Sequence, residues 1–192
     1  PEWVRPALDR VSPVERALAV RQVERALNAP LASSLGRLFD AAAALAGIRT
    51  ESSYEGQAAM ELETLADRHE GAVLDFPALP CANGRLVLDP LPMLSTLAAS
   101  RAAGRAPELL AADFHATVVD AAVRAAVRLC DEQSVDTVAL GGGCFQNMRL
   151  LGGIRRGLEG AGLRVLRPVQ LSPNDGAVSY GQAVVTAARL SR

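Results

Sequence analysis

Apolar residues recur every three or four positions over several stretches of this chain, the spacing of amphipathic helices, and two short continuous apolar runs interrupt that rhythm. The first helix is predicted to start at Ser12-Pro13-Val14-Glu15, a capping box with proline in the first turn, and to run to about Leu27 before Asn28-Ala29-Pro30. A second is expected from about Leu31 to Ala46, with Leu35, Leu38, Phe39, Ala42 and Leu45 on one side and Gly47 as its stop. A polar loop, Thr50 to Gly56, leads to a third helix, Gln57 to His69. Residues Ala72 to Pro80 and Asn83 to Leu88 read as short extended pieces around a turn at Cys81-Ala82-Asn83-Gly84. Pro90 and Pro92 introduce a helix to about Ala103. After Gly104 to Pro107 a long helix follows, Glu108 to Asp131, with an apolar stripe of Leu110, Phe114, Val118, Ala121, Ala125 and Leu129.

The last third of the chain changes period. Val135 to Leu140 reads as a buried strand, Gly141-Gly142-Gly143 as a tight loop, and Phe145 to Leu158 as a helix. Gly160-Ala161-Gly162 turns into a parallel neighbour strand, Leu163 to Leu166, completing a βαβ unit expected to be right-handed. Leu171 to Ala177 is then a loop entering a final helix that ends near Leu190.

Three glycines after a strand leave no Cβ between a ligand and the backbone, and the next helix aims free N–H groups at the same spot, an arrangement suited to phosphate. The same loop also serves simply to pack strand on helix, since it is neither a Walker A loop nor a GxGxxG fingerprint. The loop at Asp175-Gly176 leaves the neighbouring strand at the same end, where open α/β sheets bind ligands, and offers a carboxylate for a phosphate-bridging metal. Helix-rich sequence with a small βαβ core fits one α/β lobe of an actin-like ATPase (ASKHA, RNase H-like) fold with a small mixed sheet.

Composition narrows the picture by exclusion. The net charge is −1, all twenty basic residues are arginine, and no basic excess suggests a nucleic-acid surface. Cys81, Cys130 and Cys144 are odd in number and lack CxxC spacing, which points to neither a disulfide framework nor a zinc site. No long apolar span or signal peptide is read, so a cytoplasmic protein without membrane attachment is expected. Pro1-Glu2-Trp3 leads almost directly into helical pattern, as in a piece of a longer chain. By residue type alone, Asp40, Glu61 and Glu63 read as ordinary helical carboxylates, His69 as a surface cap, His115 as a packed or solvated histidine, and Cys144 as a small buried filler.

Three separated motifs change that reading. Ser33-Ser34-Leu35-Gly36-Arg37-Leu38-Phe39-Asp40, Ser53-Tyr54-Glu55-Gly56-Gln57-Ala58-Ala59-Met60-Glu61, and the pair Gly141-Gly142-Gly143-Cys144-Phe145-Gln146-Asn147 with Ser172-Pro173-Asn174-Asp175-Gly176-Ala177 resemble the C-terminal part of the HypF hydrogenase-maturation carbamoyltransferases. The resemblance runs from about Val14 to the end. It implies that residues 1–192 form the C-terminal lobe of the carbamoyltransferase domain, similar to the tRNA threonylcarbamoyladenosine enzymes, with a ribose-binding helical segment at 12–70 and a phosphate- and metal-binding core at 108–190.

It further implies ATP and carbamoyl adenylate as ligands, a divalent metal (Mg, Fe or Zn), and transfer of carbamoyl to the C-terminal cysteine of a HypE-type acceptor during cyanide-ligand synthesis for nickel-iron hydrogenases. By the same resemblance Asp40 and Glu61 bind the ribose, Gly56 belongs to the nucleotide-binding set, Gly142 and Gly143 form the phosphate loop, Asn147 touches adenine, and Asp175 binds the metal. No catalytic residue is assigned. A histidine motif in the family's preceding lobe holds most of the metal, and His69 and His115 do not imitate it, so the chain alone is expected to be catalytically incomplete without that lobe and its other domains. The rival readings are an O-carbamoyltransferase of secondary metabolism, against which Tyr54-Glu55-Gly56-Gln57 speaks, and a nucleotide-binding module without chemistry.

Overall fold

The computed structural model describes residues 9, 11–80 and 85–191, so the turn expected at Cys81 to Gly84 lies outside the described residues. The chain divides into two compact units, Pro1–Thr117 and Val118–Arg192.

The first unit begins with α1 (Pro13–Glu24), whose capping box forms as expected: Glu15 N–H donates to the Ser12 hydroxyl at 3.2 Å and Ser12 N–H to the Glu15 carboxylate at 3.0 Å. Its helical spacing does not yield a buried stripe. No residue of α1 is buried, and Val14, Leu18 and Val23 stand exposed. The next helix, α2 (Leu35–Leu45), starts four residues later than the apolar pattern suggests. Ser34 takes extended dihedrals as its N-cap, the position that serine prefers over a helix interior. At the other end Gly47, at φ +75°, lets Ile48 N–H reach the Ala43 carbonyl in a Schellman closure.

Helix α3 (Gln57–Ala66) stops short of His69. Tertiary hydrogen bonds take over where the helix ends: Ala72 N–H donates to Asp113 at 2.8 Å and Leu74 N–H to the Thr117 hydroxyl at 2.9 Å. Residues 71–75 are thereby strapped across the first part of α5 (Pro107–Gln133). Between them lie the antiparallel strands β1 (Ala78–Pro80) and β2 (Leu86–Leu88), paired Ala78 with Leu88, and helix α4 (Leu91–Ala102). The core of this unit gathers Phe39, Ala43, Leu62, Met93, Leu97, Leu110 and Phe114. Phe39 and Phe114 meet edge to face with centroids 4.8 Å apart, and the fully buried His115 ring packs edge-on to both while its Nδ1 hydrogen-bonds the Ala111 carbonyl. His115 is thus a packed histidine, and His69 is half-buried just beyond the end of α3.

In the second unit α5 continues, but its stripe turns outward: Leu129 is exposed and Cys130 is buried instead. Parallel strands β3 (Thr137–Ala139) and β4 (Arg164–Leu166) flank α6 (Met148–Gly160), so the expected βαβ unit is present. The first of these strands is not a buried one, since Ala139 is exposed and only Leu140, just beyond it, is enclosed. With one partner strand each, the antiparallel and parallel pairs form two separate small sheets. Glycines let α6 approach α5 closely: a Cβ on Gly153 or Gly157 would stand 2.8 or 2.6 Å from a methyl of Val119 or Val123. Helix α7 (Val178–Leu190) closes the described chain, with no buried residue. Among the described residues no helix is long and apolar enough to cross a membrane.

Candidate functional site

The glycine loop of the second unit differs from a direct strand-to-helix turn. A 3₁₀ turn, Gly143–Gln146, comes first, and α6 begins only at Met148 with Asn147 as its N-cap. The cap explains the delay, because the Asn147 side-chain oxygen accepts from Leu150 N–H at 2.9 Å. Only Gly142 uses the freedom that glycine provides: φ 102°, ψ 161° is a region closed to other residues, and Gly141 and Gly143 keep ordinary φ signs. Gly142→Ala is therefore expected to destabilise this unit by about 1–3 kcal/mol although open space surrounds the missing Cβ, which thermal unfolding of the variant checks.

Gly142 N–H donates to the Pro173 carbonyl at 2.7 Å, and Leu140 N–H to Leu166 at 2.8 Å. These bonds join the two loops that sequence placed at the same end of neighbouring strands. The Gly142 amide is consumed in that link. The N–H groups of Gly143 and Cys144 open the following 3₁₀ turn, where the first amides lack an acceptor within the turn itself. Cys144 is half-buried rather than enclosed. In the second loop the Asn174 side chain accepts from Gly176 N–H at 2.9 Å, leaving Asp175 exposed on a short 3₁₀ turn, Asp175–Ala177. Asp175 offers one carboxylate, but no set of three His, Cys, Asp or Glu side chains converges among the described residues. One carboxylate does not make a metal centre.

The remaining sequence-predicted residues lie in the first unit. Asp40 sits at the helix edge, paired with exposed Arg37 one turn back at 3.0 Å, an ion pair worth little in water. Gly56, at φ +78°, is the N-cap of α3 and sets the loop's exit into the helix. Glu61 is more constrained. Arg49 Nε donates to its Oε2 at 2.6 Å and Gln57 Nε2 to its Oε1 at 3.1 Å. The Arg49 guanidinium holds the Glu61 carboxyl below the usual range, partial burial opposes it, and Gln57 adds to the lowering. Such a shift favours the folded state above the ordinary carboxylate pKa, and that contribution disappears as pH falls through the lowered value. Glu61, Thr64, Leu65, Gly47, Ile48 and Glu108 line an open cleft of about 480 Å³; Asp40 does not reach it.

Arg49 and Gln57 escaped the sequence reading. Gln57 stood inside a quoted motif without a task of its own, and Arg49 lies twelve residues from Glu61, beyond any helical periodicity.

The second unit joins its glycine loop and acidic turn beyond a parallel strand pair, in a helix-rich α/β chain. The chain belongs to the family described as Carbamoyltransferase, Kae1-like Domain, second subdomain, which matches residues 2–182. It is 44% identical over 95% of its length to carbamoyltransferase HypF of Rhodobacter capsulatus and 37% identical over 85% to that of Synechocystis. It spans only 23% and 20% of those proteins. The solved structure of full-length HypF in its phosphate- and nucleotide-bound form superposes with a TM-score of 0.91 at 34% identity, covering 100% of this chain and 30% of that one.

Proposed function

We propose that the chain is the nucleotide-binding lobe of a HypF-type carbamoyltransferase, holding ATP and carbamoyl adenylate while carbamoyl passes to the C-terminal cysteine of a HypE-type acceptor. The observation that carries this reading is the Gly142 to Pro173 hydrogen bond, which unites the glycine loop and the Asp175 turn within a family match of nearly full length. The nucleotide and phosphate bound to the solved HypF relative support the same ligand class. In this reading the Gly143 and Cys144 amides donate to phosphate oxygens, Asn147 contacts adenine, and Asp40 and Glu61 accept hydrogen bonds from ribose hydroxyls.

The acceptor's thiolate attacks the carbamoyl carbon, the S–C bond forms, and the anhydride C–O bond breaks, with AMP leaving on the electron pair. Preorganised amide donors that meet the phosphate charge make AMP a better leaving group, and that is the chemical contribution assigned to this lobe. Asp175 would supply one carboxylate to a divalent ion. The preceding lobe and domains of the parent protein are the expected partners, in a cytoplasmic setting.

Calorimetric titration of the 192-residue chain with ATP and Mg²⁺, beside Asp40→Ala and Asp175→Ala, tests the assignment. Binding weakened about tenfold in each variant is expected from losing one charge-assisted contact. Variants that bind as tightly as the parent chain would remove both residues from the site.

A further inference from the structure

The Glu61 carboxylate is bracketed from both sides by residues with no assigned task, and the bracket has a defined polarity. Ser53 N–H donates to Gln57 Oε1 at 2.8 Å, which fixes the amide orientation and leaves Nε2 as the end facing Glu61. Gln57 is 9% exposed, so few rotamers remain open to it. On the other side Arg49 is anchored by a second bond, from Nη1 to the Glu51 carbonyl at 3.1 Å. An ionised carboxylate offers about four acceptor sites. Arg49 takes one on Oε2 and Gln57 one on Oε1, which leaves about one on each oxygen. A remaining acceptor on so rigid a carboxylate suits a hydroxyl donor of a sugar.

Glu61 lies in the wall of the cleft described above, whose volume of about 480 Å³ is of the size that binds small ligands. Glu108 shares the cleft wall.

We propose that Arg49 and Gln57 are positioning residues that hold the Glu61 carboxylate turned so that a free acceptor site on it receives one ribose hydroxyl, the other being left to Asp40. This rests on the reading of Glu61 as a ribose contact. Neither residue touches the ligand; each acts through Glu61, and together they make the site selective for ribose over a sugar without hydroxyls.

The test compares ATP with 2′,3′-dideoxy-ATP on the parent chain, Arg49→Met, Gln57→Leu, Arg49→Lys and Glu61→Gln. The parent chain is expected to prefer ATP by about tenfold to a hundredfold. Arg49→Met and Gln57→Leu should bring that ratio to within about threefold of unity by weakening ATP alone, and Arg49→Lys should restore part of it. A ratio unchanged in both variants overturns the positioning role while leaving Glu61 as a ribose contact. A parent chain with no preference, or with no affinity for either nucleotide, overturns the ribose reading of Glu61 and the proposal with it.

Discussion

Gly71→Ala is expected to unfold or severely loosen the first unit. A Cβ at position 71 would lie 2.0 Å from the Ala112 carbonyl oxygen, 2.2 Å from its carbon and 2.6 Å from the Asp113 nitrogen. All three are backbone atoms inside a long helix, which cannot yield as a side-chain tip can. The strap must therefore lift, and the bonds from Ala72 N–H to Asp113 and from Leu74 N–H to Thr117 lengthen or break. Losing two such bonds, with a buried acceptor left unsatisfied, amounts to about 3 kcal/mol or more. For a domain of this size that lowers Tm by roughly 10 °C or more. Thermal unfolding followed by circular dichroism measures it, and a change below about 1 kcal/mol would show that the strap does not lie against α5.

Asp113→Ala attacks the same junction from the helix side. Asp113 is 3% exposed, and its carboxylate receives Arg105 Nε at 2.9 Å, Arg105 Nη2 at 3.0 Å and Ala72 N–H at 2.8 Å. Removing one partner of a buried pair costs about 3–5 kcal/mol, and here the lower end applies, because the Arg105 side chain is 38% exposed and regains water. Asp113→Asn keeps an acceptor for Ala72 and should cost about half as much. The exposed pairs Arg124 with Asp120 and Arg128 with Glu132 are the controls, expected to change stability by no more than about 0.5 kcal/mol when broken. Urea denaturation resolves these differences. Because Gly71 and Asp113 meet in one contact, the double variant should lose less than the sum of the single ones.

For the candidate site, legibility followed the range of the physics. The glycine loop and the Ser172 to Ala177 turn were readable because their chemistry is local: Gly142 needs its positive φ, and Asn174 caps a backbone N–H two residues ahead. That these two turns touch, through Gly142 and Pro173, follows only from the pairing of β3 with β4. Arg49 was invisible for the same reason in the first unit. Nothing in its neighbours marks it, and its role appears only once α3 brings Glu61 to its guanidinium.

Element boundaries divide likewise. The capping box of α1, the glycine closure of α2 and the asparagine cap of α6 rest on hydrogen bonds between residues a few positions apart, so residue order alone contains them. Where α6 starts was still misread, because competition between a helix and an Asn cap is settled by which N–H the side chain can reach.

The sequence by itself determined the run of helices, the βαβ unit, the glycine loop and the family. Tertiary structure decided which apolar stripes are buried, why α3 ends where a strap begins, and how the Glu61 carboxylate is oriented. Helical periodicity marks a face but not the surface that covers it, which is why the stripe of α1 stays in solvent while that of α2 encloses Phe39. Local hydrogen bonds are encoded by neighbours in the chain; burial and ion pairing depend on residues that only the fold brings together.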